Sequence, residues 1–547
     1  MKRFLLFALL YVLAVPVSSP AAPHDYPDVD PLELSFQRLA VRRFIFSNNI
    51  TLNEFVPSEI VAFESMYPAF AVSDSDTPKV NEDFKARIED GKLVLGHSSG
   101  NGAASVYMGG VNPYATYEVE VDSYSADGTA PEIGVEIARL GLQDRVQVVC
   151  RLSEGQADVF MRLYRDGKLV RESGCGDFKT DGPFTLHVQL YGRTFGVFVA
   201  RNGETEYLWH LPVKEHFADI LDPRNVKTAG DCTFNLVSNL QGEVVVKGAR
   251  SFLSPGIGQA DIRLISYEDL SPYIDGGRLW FTFSCRGIDT PQSVQGVLSL
   301  DPSVFDIRFE GMIVFDHADG LLRNDYASHL FYDRNAKEWR AYVCDFGGSA
   351  NKEGRTGTGL ITATSPKDPR KGFSVMKAVR VEPSSIDGHN EDPCIFYDTD
   401  AGKWRLLTSA FVNGTITSRT FESDEWNGKF SIIVPPIKMN STGTSIQRIG
   451  GKYYALMGGL GNLRIHSYPD LAEMGELKLK LQPHWPKPAG RVWASVVPLP
   501  EGYPYRYVLL TMDRPNFPGI KVNSWSYGAL YFYGANPDDI SSPAYEF

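Results

Sequence analysis

The sequence has no apolar run beyond its N-terminus long enough to span a bilayer, no excess of positive charge and no low-complexity tail. Each absence excludes a class. The run Phe4 to Val17 is too short for a comfortable membrane span. Lys and Arg total 54 against 66 Asp and Glu, a net charge of −12, which argues against nucleic acid or an anionic membrane as the main partner. The cysteines Cys150, Cys175, Cys232, Cys285, Cys344 and Cys394 show neither C-x-x-C nor His/Cys ligand spacing, so no zinc site is expected. Cys150 and Cys175 could pair within one domain, and the others read as buried small hydrophobes. There is no H-E-x-x-H pair, and Gly357-Thr-Gly359 is too short for a phosphate loop.

What is present begins with Met1-Lys2-Arg3, the apolar run after it, and the small residues Ser19, Ala21 and Ala22. This reads as a signal peptide over residues 1–22, and the expectation is a secreted or periplasmic protein. No cysteine near the cut supports a lipid anchor. At 547 residues the chain exceeds one ordinary core, so two or three domains are expected. Abundant Gly, Tyr and Phe suit short strands and tight turns.

Residues 23–66 read as an irregular lead-in with room for one helix. From 67 to 254 the pattern is alternation, as in Tyr117-Glu-Val-Glu-Val-Asp and Phe184-Thr-Leu-His-Val-Gln-Leu, with turn signals at Asp166-Gly167 and Asn202-Gly203. That pattern predicts a β-sandwich and resembles a concanavalin-like jelly roll. No clear aromatic row marks a binding face, which favours a bracing role.

Ser254-Pro255-Gly256-Ile257-Gly258 is the predicted boundary, and residues 255–547 hold an internal repeat. Asn324-Asp-Tyr-Ala-Ser-His-Leu-Phe-Tyr-Asp lies over His389-Asn-Glu-Asp-Pro-Cys-Ile-Phe-Tyr-Asp without a gap, and each leads to a second strand opening on Trp339 or Trp404. Looser copies start at Glu268-Asp269, Ser441-Thr442 and Arg491-Val-Trp493. Five copies at a spacing of roughly 50 to 65 residues predict a five-bladed β-propeller. The fold class is therefore all-β: an N-terminal sandwich followed by a five-bladed propeller.

In a propeller, equivalent positions converge on one funnel. Here they gather Glu268/Asp269, Asp325, His389/Asn390/Glu391/Asp392, Ser441/Thr442 and Arg491. Clustered carboxyls raise one another's pKa, so one can stay protonated while another ionises. Glycoside hydrolysis needs that split. Glu391-Asp392-Pro393-Cys-Ile-Phe-Tyr-Asp with Lys403-Trp404 resembles the blade motif of glycoside hydrolase family 43 and its five-bladed relatives, including family 32. The resemblance implies Asp269 as base, Asp325 as the residue that tunes and orients, and Glu391 as acid. It covers about 290 residues. Thr442-Gly443-Thr444 is also similar to that family's Glu-Gly-Pro acid motif, with Thr in the place of Glu.

His389, Asp392 and Arg491 are expected to bind substrate, with Trp493 as the sugar-stacking aromatic. No cofactor is required, although propellers can hold a structural calcium ion on their axis. The expected partner is an oligosaccharide or polysaccharide, with no nucleic acid and no membrane span. The expected function is an exported glycosidase, exo-acting on a terminal sugar, possibly a furanose, of a plant or microbial polysaccharide. A non-catalytic glycan-binding protein is the alternative. A polysaccharide lyase is the third, with Tyr326 or His389 as base and Arg491 neutralising a uronate.

Overall fold

A computed structural model of the chain describes residues 29–43, 46–60, 71–73, 84–97, 103–125, 130–139, 141, 143–192, 194–212, 222, 224–239, 242–288, 293–346, 358–381, 386, 388–458, 462–479, 493–512 and 529–537. Two all-β bodies follow one another. The first is a sandwich of two antiparallel sheets. One sheet is seven-stranded and centred on Glu132–Arg139. The other is eight-stranded and centred on Ala115–Ser125 and Gly242–Leu253. Alternation buries Tyr117, Val119 and Val121 on the inner face, while Glu118 and Glu120 point the other way and pair with Arg250. The two turn dipeptides act as the sequence predicts. Asp166-Gly167 and Asn202-Gly203 all have positive φ, between 49° and 82°, which a two-residue hairpin requires. All six cysteines are buried free thiols, so Cys150 and Cys175 do not form the disulfide their shared domain allowed.

The second body is a five-bladed propeller. Gly258–Leu264, Tyr326–Asp333, Asn390–Asp398, Thr442–Ile449 and Ala494–Pro498 are the inner strands of blades 1 to 5. Each packs against the next, and the fifth closes on the first. Trp339 and Trp404 are buried between blade layers, as packing residues rather than sugar platforms.

The lead-in departs from expectation. Its helix-like residues form the strand Ser35–Arg42, which pairs antiparallel with Leu530–Ala535 and becomes the outer strand of blade 5. Leu34 and Phe36 are buried there with Ile465, Tyr531 and Tyr533. The alternation is hidden because the strand shifts register between Arg38 and Ala40 and leaves Val41 exposed. A second lead-in strand, Thr51–Phe55, joins the sandwich through Gly242–Leu253. The lead-in thus serves both bodies.

The sandwich docks on blade 1. Its Tyr114 and Tyr191 are fully buried in the same cluster as Phe281, Phe283 and Cys285. The Val226 N–H donates to the Gly320 carbonyl (2.9 Å) and the Leu322 N–H to the Arg224 carbonyl (2.7 Å), tying the sandwich to the connection between blades 1 and 2.

Candidate functional site

Four inner strands share a local device that the repeat alone does not reveal. Each pairs with its neighbour through a register shift: at Ala260/Arg263, Tyr326/His329, Glu391/Cys394 and Thr442/Ser445. In each shift one residue is left-handed: Asp261 (φ 54°), Ala327 (φ 56°), Asp392 (φ 55°) and Gly443 (φ 64°). An extra residue kinks the strand and re-aims side chains. Gly tolerates this backbone freely, and Asp better than most other residues. On blades 1 and 3 the device therefore presents a carboxylate.

Asp261 Oδ2 accepts from Arg286 Nη2 at 2.6 Å, and the Arg286 guanidinium lies 5.0 Å from the centre of the Tyr326 ring. Asp392 is buried. Its Oδ2 accepts from Ser409 Oγ (3.1 Å), Thr442 Oγ1 (3.1 Å) and the Gly443 N–H (3.2 Å). Burial, reinforced by the charges of Glu391 and Asp261, nonetheless pushes its carboxyl up to about 7. Blades 1 and 3 thus bring Asp261, Glu391 and Asp392 into one electrostatic group.

Glu391 is the more accessible member, its side chain 23% exposed. The Thr358 N–H donates to His389 Nδ1 (3.1 Å), which leaves Nε2 to donate to Glu391 Oε1 (2.8 Å). His389 therefore orients the carboxyl that the sequence assigns as acid. Beside it stands Phe411, 53% exposed, its ring centre 6.0 Å from that of His389.

Several expectations need correcting. Asp269 is not in this group. Its carboxyl pairs with Arg334 (2.8 Å) and accepts from Ser271 in a turn. The strand Ser266–Tyr267 runs parallel to Phe331 and Tyr332, so Asp269 sits at the far end of blade 2's inner strand from Asp325. At about 3.3 Å per residue that strand separates the two by roughly 25 Å.

Asp325 does stand at the funnel end of blade 2, but it is buried against His317 Nε2 (2.9 Å). His317, Asp325 and Asp345 bring ligand atoms within 4.8 Å of one another and are a set able to hold a metal ion. Asp392 is an acid that senses both Asp261 and Glu391.

Trp493 is a packing residue, 7% exposed. Its indole lies against Gly443, where a Cβ would come within 2.6 Å of the ring. Arg491 lies outside the described residues. Tyr326 is buried and its hydroxyl is pushed up to about 12, chiefly by burial, which makes it a poor base for a lyase.

The acids do not reach the axis beneath the site. The cavity there is lined by Arg263, His329, Cys394, Ser445, Ser495 and other neutral or cationic groups, with no carboxylate among the described lining residues. This donor set does not suit the axial calcium ion expected of such propellers.

Asp261 and Phe411 were missed from sequence. The signal for Asp261 exists, since Gln259-Ala-Asp261-Ile-Arg-Leu matches Asn390-Glu-Asp392-Pro-Cys-Ile in position. However, the connection between Gly258–Leu264 and Arg278–Arg286 is long and holds two short strands of its own. Anchoring the copy on Leu279-Trp280 therefore shifted it onto Glu268-Asp269.

No protein-family profile matches the sequence, and no curated protein matches it. Among solved structures, the GH43_1 enzyme from Xanthomonas citri complexed with xylose is 13% identical, with 53% of this chain and 90% of that chain covered and a TM-score of 0.37. A family 117 glycoside hydrolase produced by the marine bacterium Zobellia galactanivorans is 11% identical, covering 53% and 88%, with a TM-score of 0.34. An N-acetylgalactosamine deacetylase from F. plautii, in complex with blood group B trisaccharide, is 9% identical, covering 51% and 90%, with a TM-score of 0.35. At such identities and TM-scores, function has to be argued from the chain's own residues.

Proposed function

We propose that the protein is an exported glycoside hydrolase that removes a terminal sugar from a plant or microbial glycan, furanosides included. The observation that carries this reading is the group Asp261–Glu391–Asp392, in which burial and then the charges of Glu391 and Asp261 push the Asp392 carboxyl up to about 7. Glu391, oriented by His389 and open to solvent, would protonate the leaving glycosidic oxygen. Asp261, paired with Arg286, would act on the opposite side as the base that activates water or as the nucleophile. Asp392, buried between them, tunes their charge without touching the sugar. Phe411 offers a ring face for the sugar.

The second reading, a glycan-binding protein without catalysis, is favoured by blade 4. There Thr442 holds the position of Glu391 and its hydroxyl is spent on Asp392. Chromatography of a plant and bacterial glycan panel incubated with the protein distinguishes the two. Monosaccharide release by the wild type, abolished in Glu391→Gln and Asp261→Asn, supports hydrolysis. Binding with no release over days would replace hydrolysis with recognition.

A further inference from the structure

The axial cavity beneath the carboxylates is built around a buried cation. Arg263, on the inner strand of blade 1, is 5% exposed. Its Nη2 donates to the carbonyls of Thr444 (2.9 Å) and Asp392 (3.3 Å), the Cys394 sulfur is a further side-chain partner, and Nε and Nη1 meet no oxygen or nitrogen acceptor of the protein. No carboxylate stands on the described cavity wall, and the nearest opposite charge that acts on Arg263 is the Asp392 carboxyl above it. The other polar lining groups are Ser266, Ser445, Ser495, Gln447, the Cys394 thiol and His329. Burial, with Arg263's own charge, holds the His329 imidazole neutral, its pKa down to about 3. A second cation, Arg448, also lines the wall. The indole of Trp493 lies 5.7 Å from the guanidinium and offers only a ring face.

A buried guanidinium with unmet donors is costly, and an acceptor carrying negative charge offsets both the charge and the missing hydrogen bonds. The size of the space limits what that acceptor can be. About 30 Å³ is open to the centre of a water-sized particle. A single water needs on the order of 10–15 Å³ by that measure. A halide is only slightly larger than water and fits this space. We infer that the propeller axis is a chloride site, with the ion accepting from Arg263 Nε and Nη1. This site adjoins the carboxylates through Asp392, yet it does not depend on the proposed hydrolysis. An anion stands where a propeller of this kind was expected to carry a cation, because the blade-1 residue at the axis is Arg.

Two measurements on the full chain test this. Thermal unfolding is followed at constant ionic strength while sodium chloride replaces sodium gluconate, whose anion is too large for the cavity. The expected result is a saturable rise that bromide reproduces, about 2–4 °C for each tenfold increase above the Kd. Arg263→Gln should lose this response. Crystals grown in bromide should show an anomalous peak beside Arg263 in the wild type, a result that does not require the variant to fold. A density feature without anomalous signal identifies water and overturns the assignment. An equal chloride response in Arg263→Gln overturns it too.

Discussion

Asp261 on blade 1 and Asp392 on blade 3 occupy the same structural position: each is the left-handed residue of the bulge in its inner strand, at φ 54° and 55°. The charge of Asp261 helps to push up the carboxyl of Asp392. A strained backbone position filled by Asp on two blades, by Ala327 on a third and by Gly443 on a fourth is a device that each blade uses differently.

If Asp261 is the blade-1 acid of the reaction, Asp261→Asn should lower kcat by about 10²–10⁴-fold, the range for a positioned general base. Asp269→Asn should leave kcat unchanged, since Asp269 is spent on Arg334 and Ser271 at the other end of the blade. Steady-state kinetics on the sugar released in the glycan screen separates the two. Loss of activity in the Asp269 variant alone would return the role to the residue that the sequence suggested.

That contrast marks how far the sequence could be read. Glu391 and Asp392 were legible because blades 2 and 3 align without a gap and their hairpins are short. Blade 1 was legible as a blade but not in register, because its first connection folds into short strands of its own. The strand Ser35–Arg42 was not legible at all. Its partner lies some 490 residues later, at Leu530–Ala535, and nothing local encodes so distant a pairing. Trp493 was misjudged because an aromatic next to a polar funnel residue looks the same in sequence whether it faces sugar or Gly443.

Phe411 should carry the stacking role once given to Trp493. Phe411→Ala is expected to raise KM by about 2–10-fold with little change in kcat, the value of one aromatic face beyond its buried area. Trp493→Ala should instead lower the unfolding midpoint, because it empties a packed site beside Gly443. A fall in kcat with KM unchanged in the Phe411 variant would mean that its ring serves the chemical step rather than binding.

Asp392 and His329 tilt stability in opposite directions. Asp392 titrates near 3.8 when unfolded and about 7 when folded, so its contribution is full below pH 3.8 and is lost as pH rises through about 7. His329 goes from 6.5 to about 3, so its contribution is full above pH 6.5 and is lost as pH falls through about 3. In the wild type the two slopes oppose each other between pH 4 and 6.5. Relative to wild type, Asp392→Asn should gain stability from pH 4 to 8, and His329→Gln should gain it from pH 7 to 3. Denaturant unfolding across pH 3–8 checks both, and curves parallel to the wild type would contradict the opposed titrations.

The strand Ser35–Arg42 joins the first described residues of the chain to the last blade, so the propeller's closure depends on a segment that precedes the whole sandwich. Leu34 and Phe36 are the side chains that seat it, both buried against Tyr531, Tyr533 and Ile465. Leu34→Ala and Phe36→Ala should each destabilise by about 2–5 kcal/mol, the cost of emptying a core position. The damage should be confined to one body. Hydrogen exchange should speed up along Leu530–Ala535 and Tyr507–Met512, which lean on the strand, while Ala115–Ser125 at the centre of the sandwich keeps its protection. If exchange rose equally in the sandwich, the two bodies would unfold as one cooperative unit. The buried contacts of Tyr114 and Tyr191 with blade 1 would then couple them more strongly than the closing strand does.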